Sequence, residues 1–454
     1  MLILGGYIMQ NSTITAKFGG SSLAEAGQFE KVKNIIESNA DRKYIIPSAP
    51  GKRFASDYKI TDLLYLCHAH VQQGIPFNDV FDIISARYKE IVACLSLKHK
   101  ELRELNIDSV LNTIKEHIYS GASSDYTASR GEYINGIVLA KLLGFEFIDA
   151  AEVIHFNKHG IFDEESTQIA IKCRLAAAEK AVIPGFYGSM PDGSIKTFSR
   201  GGSDVTGAII ARGTASVLYE NWTDVSGFMM ADPRIIQDPK PIDVITYREL
   251  RELSYMGATV LHEESVFPVR EAGIPINIRN TNKPEDTGTL ILDDSSCKEK
   301  NTAITGIAGK KNFTVIAIEK HLMNGELGFC RRLLSILESN CIPFECMPSG
   351  IDTVSLVIED KYIGAKLDDI IDEIKRHCKP DSIEIYPNMA LIATVGRGMS
   401  RTRGMAASIF TALAAEHINI RLINQGSSEI NIIVGVETDD FEKAIKAIYN
   451  VTVK

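Results

Sequence analysis

Lys17 is followed by two glycines and two serines in KFGGSS (17–22), so a cation stands beside backbone that no side chain covers. A lysine next to bare N–H groups ahead of a helix can hold a phosphate or a carboxylate. The stretch is not a Walker A loop, because GxxxxGK followed by Ser or Thr is absent. A second stretch, FSRGGSDVTG (198–207), places Arg200, two glycines, Ser203 and Asp204 immediately before the apolar run AIIARGT. It reads either as an ordinary Gly/Ser turn or as an anion site at a helix N-terminus. SAPGKR…KITD carries Ser48 and Thr61, and SRGE (129–132) reads as a helix start with Glu132 in its first turn. There the carboxylate could do no more than complement the helix dipole. A fifth stretch, NWTDVSGFMMADPR, contains Thr223, Asp224, Met229, Asp232 and Arg234.

These stretches need elements that bring them together, and the chain supplies a rhythm. TITAKF, KYIIPSAP, FEFIDA, AVIPGFYG and ASVLYENWTDVSG read as strands. EAGQFEKVKNIIESN, TDLLYLCHAHVQQG, GEYINGIVLAKLLG and SDVTGAIIARGT read as amphipathic helices between them. Alternation of this kind predicts an α/β layer structure with a largely parallel sheet, over residues 12–290. Ligands bind such sheets at the carboxyl ends of the strands, where these five stretches fall. Residues 75–125 read as a helical excursion, and TNKPEDTGT (281–289) as a boundary loop.

At 454 residues the chain is too long for one core and predicts two to three domains. A net charge of −9 argues against a nucleic-acid-binding surface. The eight cysteines include no CxxC pair, which fits reduced thiols and a reducing compartment. No run has transmembrane length, and MLILGGYIM lacks a basic segment and cleavage site. A cytoplasmic protein without a membrane partner is expected.

The last third repeats itself. Shifted by 76 positions, NFTVIAIE (312–319) falls on NMALIATV (388–395). GFCRRLLSILESNCIPFECMPSG (328–350) falls without gaps on GMAASIFTALAAEHINIRLINQG (404–426). Each copy reads strand, Gly-ended loop, amphipathic helix, strand, Gly turn, strand, which indicates duplication.

KFGGSS, SRGE, SRGGSDVTGA, WTDVSG…ADPR, GATVLH and AGIPINIRNT…GTL stand in the order of the aspartokinase family, which this chain resembles over nearly its whole length. The resemblance implies an amino-acid-kinase catalytic domain over 1–295 and two ACT domains over 305–380 and 381–454. It implies transfer of the ATP γ-phosphoryl group to the β-carboxylate of L-aspartate, giving 4-phospho-L-aspartate, the first step towards lysine, threonine and methionine. In that scheme Lys17 and the Gly19 and Gly20 amides stabilise the transferring group, and Asp204 orients Lys17. Arg200 and Thr61 contact aspartate carboxylates, Glu132 takes the ammonium, and Ser21, Ser48 and Ser203 add polar lining. Asp224 holds the adenosine, with Thr223 and Asp232 nearby, and Arg234 reaches the phosphates. Mg²⁺ comes mainly on phosphate oxygens and water. Thr259 replaces the lysine many members have in GAKVLH, and Met229 replaces a frequent aromatic, so the nucleotide contacts at these two positions differ from the family's. Other enzymes of the superfamily, or a silent ACT-type sensor, are the competing readings.

The two repeat copies differ in charge. The first carries Glu326, Glu345 and Asp352, whereas the second carries Arg397, Arg401, Arg403 and Arg421. A cationic effector therefore suits the first copy. The backbone at Gly328 and Phe329 would take its α-carboxylate. Similarity to lysine-sensitive members adds Met323 and Ser349 and points to lysine, with threonine as the rival. Paired ACT domains also imply a homodimer or homotetramer.

Overall fold

The computed structural model describes residues 12–199, 201–258, 261, 266–294 and 303–452. They group into two units. One holds Met1–Phe228, Pro241–Tyr247 and Val260–Lys298, and the other Met229–Lys240, Arg248–Thr259 and Glu299–Lys454.

The first unit begins with β1 (Ile14–Phe18), α1 (Ala26–Glu37), β2 (Arg42–Pro47), α2 (Ile60–Gln72), α3 (Asn78–Ser96), α4 (Ile107–Tyr119) and α5 (Ser124–Leu143). It continues through β3 (Glu146–Phe147), α6 (Ala150–Val153), α7 (Glu164–Leu175), β4 (Ala181–Val182), β5 (Tyr187–Ser189), β6 (Ile195–Thr197), α8 (Gly202–Gly213) and β7 (Leu218–Thr223). After β8 (Val244–Thr246), the helix α9 (Tyr247–Tyr255) runs from the first unit into residues of the second. Then follow α10 (Phe267–Glu271), β9 (Ile276–Asn280) and β10 (Thr289–Leu292).

Eight strands form one sheet in the order β3-β4-β2-β1-β7-β9-β10-β8, with only the β9–β10 pair antiparallel. Its two faces are covered separately. Ala16, Phe18, Ile45 and Trp222 pack with residues of α1 to α5, whereas Tyr44, Ile46, Ile183 and Ile148 pack with α7 and α8. Strands buried on both faces read as near-continuous apolar runs, which is why β1 is buried throughout. The expected helical excursion is α3 and α4, and both belong to the first of these clusters.

Two local expectations change. SRGE does not open a helix: α5 starts at Ser124, capped by the Ser123 hydroxyl, which accepts from the Tyr126 N–H. Glu132 therefore sits in the helix interior, and dipole complementarity does not explain it. Gly131 is tolerated there because a Cβ would stand 2.7 Å from the Ala49 Cβ. TNKPEDTGT is the loop of the antiparallel β9–β10 pair, inside the first unit.

The second unit contains β11 (Gly306–Glu319), α11 (Phe329–Ser339), β12 (Thr353–Glu359), α12 (Asp360–Ile363) and α13 (Leu367–Cys378). Its second half contains β13 (Ser382–Val395), α14 (Met405–Ala415), β14 (Leu422–Asn424), β15 (Asn431–Glu437) and α15 (Phe441–Thr452). One antiparallel sheet runs β12-β11-β13-β15-β14. The 76-residue repeat is visible in the backbone. β11 and β13 each have 14 residues, and α11 and α14 each have 11. Gly328 (φ 79°) and Gly404 (φ 86°) cap these helices in the left-handed region that glycine favours.

Candidate active site

The carboxyl edge of the central strands places the chemistry. Lys17, on β1, lies in register with Asn221 on β7. Its Nζ is 2.6 Å from Asp204 Oδ1 and donates to Asn221 Oδ1 at 3.3 Å. The Asn221 amide in turn donates to Asp204 Oδ1 at 2.8 Å, closing a triangle of three polar side chains. Asp204 stands in the first turn of α8, where the Tyr219 hydroxyl donates to its backbone carbonyl. The lysine is thus held by two partners that also bond one another. Asn221 was missed from the sequence, although a buried asparagine inside LYENWT was a signal. Its neighbour Glu220 is accounted for structurally by Arg42 (Nε to Oε2, 2.7 Å) and the Trp222 indole N–H (2.8 Å).

Glycines bring backbone to this edge. The Gly51 N–H donates to the Gly20 carbonyl at 2.8 Å, and a Cβ on Gly20 would stand 2.8 Å from the Ala49 carbonyl oxygen. Gly19 donates to the Trp222 carbonyl at 2.9 Å. Gly201 caps α8 at φ 56° without a side-chain cap bond, so this helix presents its N-terminal amides unprotected. Beside it Phe186 holds φ 82°, and a Cβ on Gly202 would stand 2.4 Å from the Phe186 ring.

A cavity of about 510 Å³ opens between these parts. Lys17, Gly20, Ser21, Asp204, Asp224, Ser48, Thr61, Glu132 and Ser203 are among the residues that line it. The Thr223 hydroxyl donates to Asp224 Oδ1 at 3.2 Å. Lys52 and Lys59 also line the cavity and were not singled out from the sequence. Glu132 is 5% exposed, and one carboxylate oxygen, Oε2, is buried without a hydrogen-bond partner. Burial pushes its pKa up to about 8 against the lowering effect of a backbone hydrogen bond from Ala49. One turn further on, the Asn135 amide donates to the Ser48 carbonyl at 2.7 Å and ties α5 to the end of β2.

The other expected residues lie apart from this lining or outside it. Arg200 and Thr259 lie outside the described residues. Met229, Asp232 and Arg234 belong to the second unit, where Asp232 and Arg234 bond one another (Nη2 to Oδ2, 2.6 Å).

The expected effector residues fall at two places on the first repeat copy. At one end Asp352 Oδ1 accepts from the Leu322 N–H at 2.8 Å, next to the buried Met323, and Ser349 bridges to Val354. Phe329 is buried at the start of α11 with Lys320 and Arg332 over its ring, and Glu326 is paired with both cations. Glu345 lies beside β12, its N–H donating to the Val357 carbonyl at 2.8 Å. There it accepts a hydrogen bond from the Tyr255 hydroxyl, and burial raises its pKa.

A lysine locked to an aspartate at the edge of a parallel sheet, beside an uncapped helix N-terminus, agrees with the family comparison. The chain belongs to the amino acid kinase family, whose model matches residues 12–280, and an ACT domain model matches residues 392–451. Its relatives within that family are aspartokinases. It is 36% identical over 445 residues to Aspartokinase 3 of Bacillus subtilis, covering 95% of this chain and 97% of that one. The crystal structure of Clostridium acetobutylicum aspartate kinase superposes with a TM-score of 0.90 at 63% identity, over 97% of this chain and 99% of that one. Lysine-sensitive aspartokinase 3 of Escherichia coli is 25% identical over 459 residues, covering 96% and 98%.

Proposed function

We propose that the cavity beside Lys17 binds L-aspartate and ATP and makes 4-phospho-L-aspartate. The observation that carries this reading is the unbonded, buried carboxylate oxygen of Glu132, which shares its cavity with the Lys17–Asp204–Asn221 triangle. A buried acceptor without a partner is costly and suits a ligand that donates, such as the aspartate ammonium. Arg200 and Thr61 take carboxylates, and Ser48 and Ser203 complete the amino-acid side. The β-carboxylate oxygen attacks the γ-phosphorus while the bond to the bridging oxygen breaks, and ADP leaves with that electron pair. Lys17, with the Gly20 and Ser21 backbone, offsets charge on the transferring group, while the Gly19 amide is already engaged by the Trp222 carbonyl. Asp204 and Asn221 hold the lysine in place. Asp224 and Thr223 contact the nucleotide.

Magnesium fits as an ion carried by the nucleotide. Among the described residues no group of three candidate ligands occurs, and Asp204 is engaged with Lys17. Asp224 is the remaining aspartate on the cavity wall, which suits a hard cation ligated mostly by phosphate and water oxygens. Bound there, the ion would neutralise phosphate charge.

Lysine is the proposed effector of the first repeat copy, at Met323, Gly328, Phe329, Glu345, Ser349 and Asp352. The name of the E. coli relative supports it. Self-association of identical chains through the ACT strands, in the cytoplasm, completes the reading. Among the described residues no helix is long and apolar enough to cross a membrane. The test is ADP release by the purified chain with ATP and Mg²⁺. Release that depends on aspartate supports the function, and release indifferent to it rejects it.

A further inference from the structure

Between β2 and α2 the chain runs through twelve residues, Ser48 to Lys59, without helix or strand. Long irregular segments in a compact unit are usually functional. This one is exposed from Lys52 to Lys59 except at Asp57, which is 7% exposed. The Asp57 carboxylate is clasped from two sides. Arg87 on α3, itself 4% exposed, donates through Nη2 to Oδ1 at 2.9 Å and to Oδ2 at 2.8 Å. Arg53 donates through its backbone N–H at 3.0 Å and through Nε at 2.9 Å. These bonds hold the Asp57 carboxyl well below the usual carboxylate range, so it remains charged at any working pH. Arg87 also reaches the Gly51 carbonyl at 3.3 Å, and the Ile60 N–H donates to the Pro50 carbonyl at 3.2 Å. The strap is therefore fastened at its start, its end and its middle.

A buried ion pair is weak evidence for stability, since desolvation offsets most of the attraction. What the clasp does achieve is position. The strap carries two lysines, Lys52 and Lys59, and both line the cavity that holds Lys17 and Glu132. Lys52 Nζ reaches only a backbone carbonyl, that of Ala55 at 3.3 Å. Among the described residues neither lysine meets a carboxylate. Two cations without counter-ions, facing a cavity, fit the anionic groups of what the cavity takes up. Their places divide the work. Lys52 follows Gly51, whose amide is bonded to Gly20 on the phosphate side, whereas Lys59 precedes Ile60 and Thr61 at the start of α2.

We infer that the strap is a charge-reading device for the transfer cavity: Lys52 binds the phosphate chain of the nucleotide, Lys59 binds a carboxylate of the amino acid, and Asp57, clasped by Arg53 and Arg87, is their positioning residue. The inference rests on the phosphotransfer reading above and assigns two further binding residues to it.

The test uses the full chain with Lys52→Met, Lys59→Met and Asp57→Asn. Steady-state kinetics are measured alongside calorimetry with Mg-ATP alone and aspartate alone. Loss of one charge-assisted contact corresponds to roughly tenfold or more in affinity. Lys52→Met should raise the ATP KM and Kd by about that factor and leave aspartate within about twofold. Lys59→Met should do the reverse, and Lys59→Arg should recover most of the loss. Asp57→Asn should raise both KM values and keep kcat, a split that simple loss of folded protein would not produce. Both lysine variants binding both ligands as wild type does would overturn the inference. Wild type that releases no ADP in response to aspartate would reject the phosphotransfer reading instead. The calorimetric arms then still decide: Mg-ATP affinity lost in Lys52→Met upholds the strap, and affinity kept removes it.

Discussion

At the scale of single residues, Lys17 and Glu132 do opposite work with the same resource, burial. Lys17 is held in place between Asp204 and Asn221, so its proposed contribution falls in the transfer step. Lys17→Met should lower kcat by roughly 10²–10³, the scale for losing one preorganised charge stabiliser, with ligand binding much less affected. Stopped-flow or steady-state rates showing near-native kcat would exclude this role. Burial pushes the Glu132 pKa up to about 8, against the ordinary glutamate value of 4.5. Between those values the folded state binds one proton more than the unfolded chain. The stability this group contributes is therefore full below about pH 4.5 and is lost as pH rises through about 8. Glu132→Gln should flatten that decline, as chemical denaturation at acidic and alkaline pH would reveal. Aspartate binding near neutral pH should expel a proton as Glu132 ionises against the ammonium. Calorimetry in buffers of different ionisation enthalpy measures it, and proton-neutral binding would count against the contact.

At the scale of elements, the site depends on loops that approach one another without side chains between them. A Cβ on Gly51 would stand 2.7 Å from the Gly20 carbonyl carbon and 2.8 Å from the Ser21 nitrogen, both backbone atoms that cannot step aside cheaply. Gly51→Ala should destabilise by about 1–3 kcal/mol and lower activity by displacing the phosphate-side backbone. Thermal melts and kinetics on the variant check both, and an unchanged variant would show that the loops have slack. Much of this level was legible in the sequence. β1, β2, α8 and β7 follow apolar runs punctuated by Gly and Ser, and the repeat register was carried by whole elements. Less legible was the start of α5, because Ser123 as cap and a glycine inside the helix look like a loop followed by a later helix. Asn221 and the strap lysines were hidden for another reason. Their importance comes from neighbours distant in sequence, Asp204 in one case and Arg87 in the other. The 281–289 loop carries Pro and Gly as a linker would, and only strand pairing reveals it as an antiparallel connection.

At the scale of the whole molecule, regulation is proposed to reside in the first repeat copy. Added lysine should inhibit wild type, threonine should not, and Glu345→Arg should lose the inhibition while keeping kcat. Because Glu345 accepts from Tyr255, the variant also tests whether that bond matters to the response. Inhibition by threonine alone would reject the assignment. The second unit has one more consequence. Met229–Lys240 and Arg248–Thr259 belong to it, although 65 and 46 residues of chain respectively separate them from β11. The Ile307 N–H donates to the Met230 carbonyl, and the Tyr449 hydroxyl accepts from the Lys240 N–H. During synthesis these two segments leave the ribosome long before the strands they pack with. β11 itself must wait for β13, with which it pairs along most of its length. The N-terminal sheet can assemble early around β1, β2 and β7, but residues 229–240 and 248–259 have no docking partner until the chain is almost complete. Chain termination just before α15 removes the Tyr449 partner of Lys240 and part of the cluster that buries Ala231 and Ile236, so a late stop codon damages sequence laid down some two hundred residues earlier.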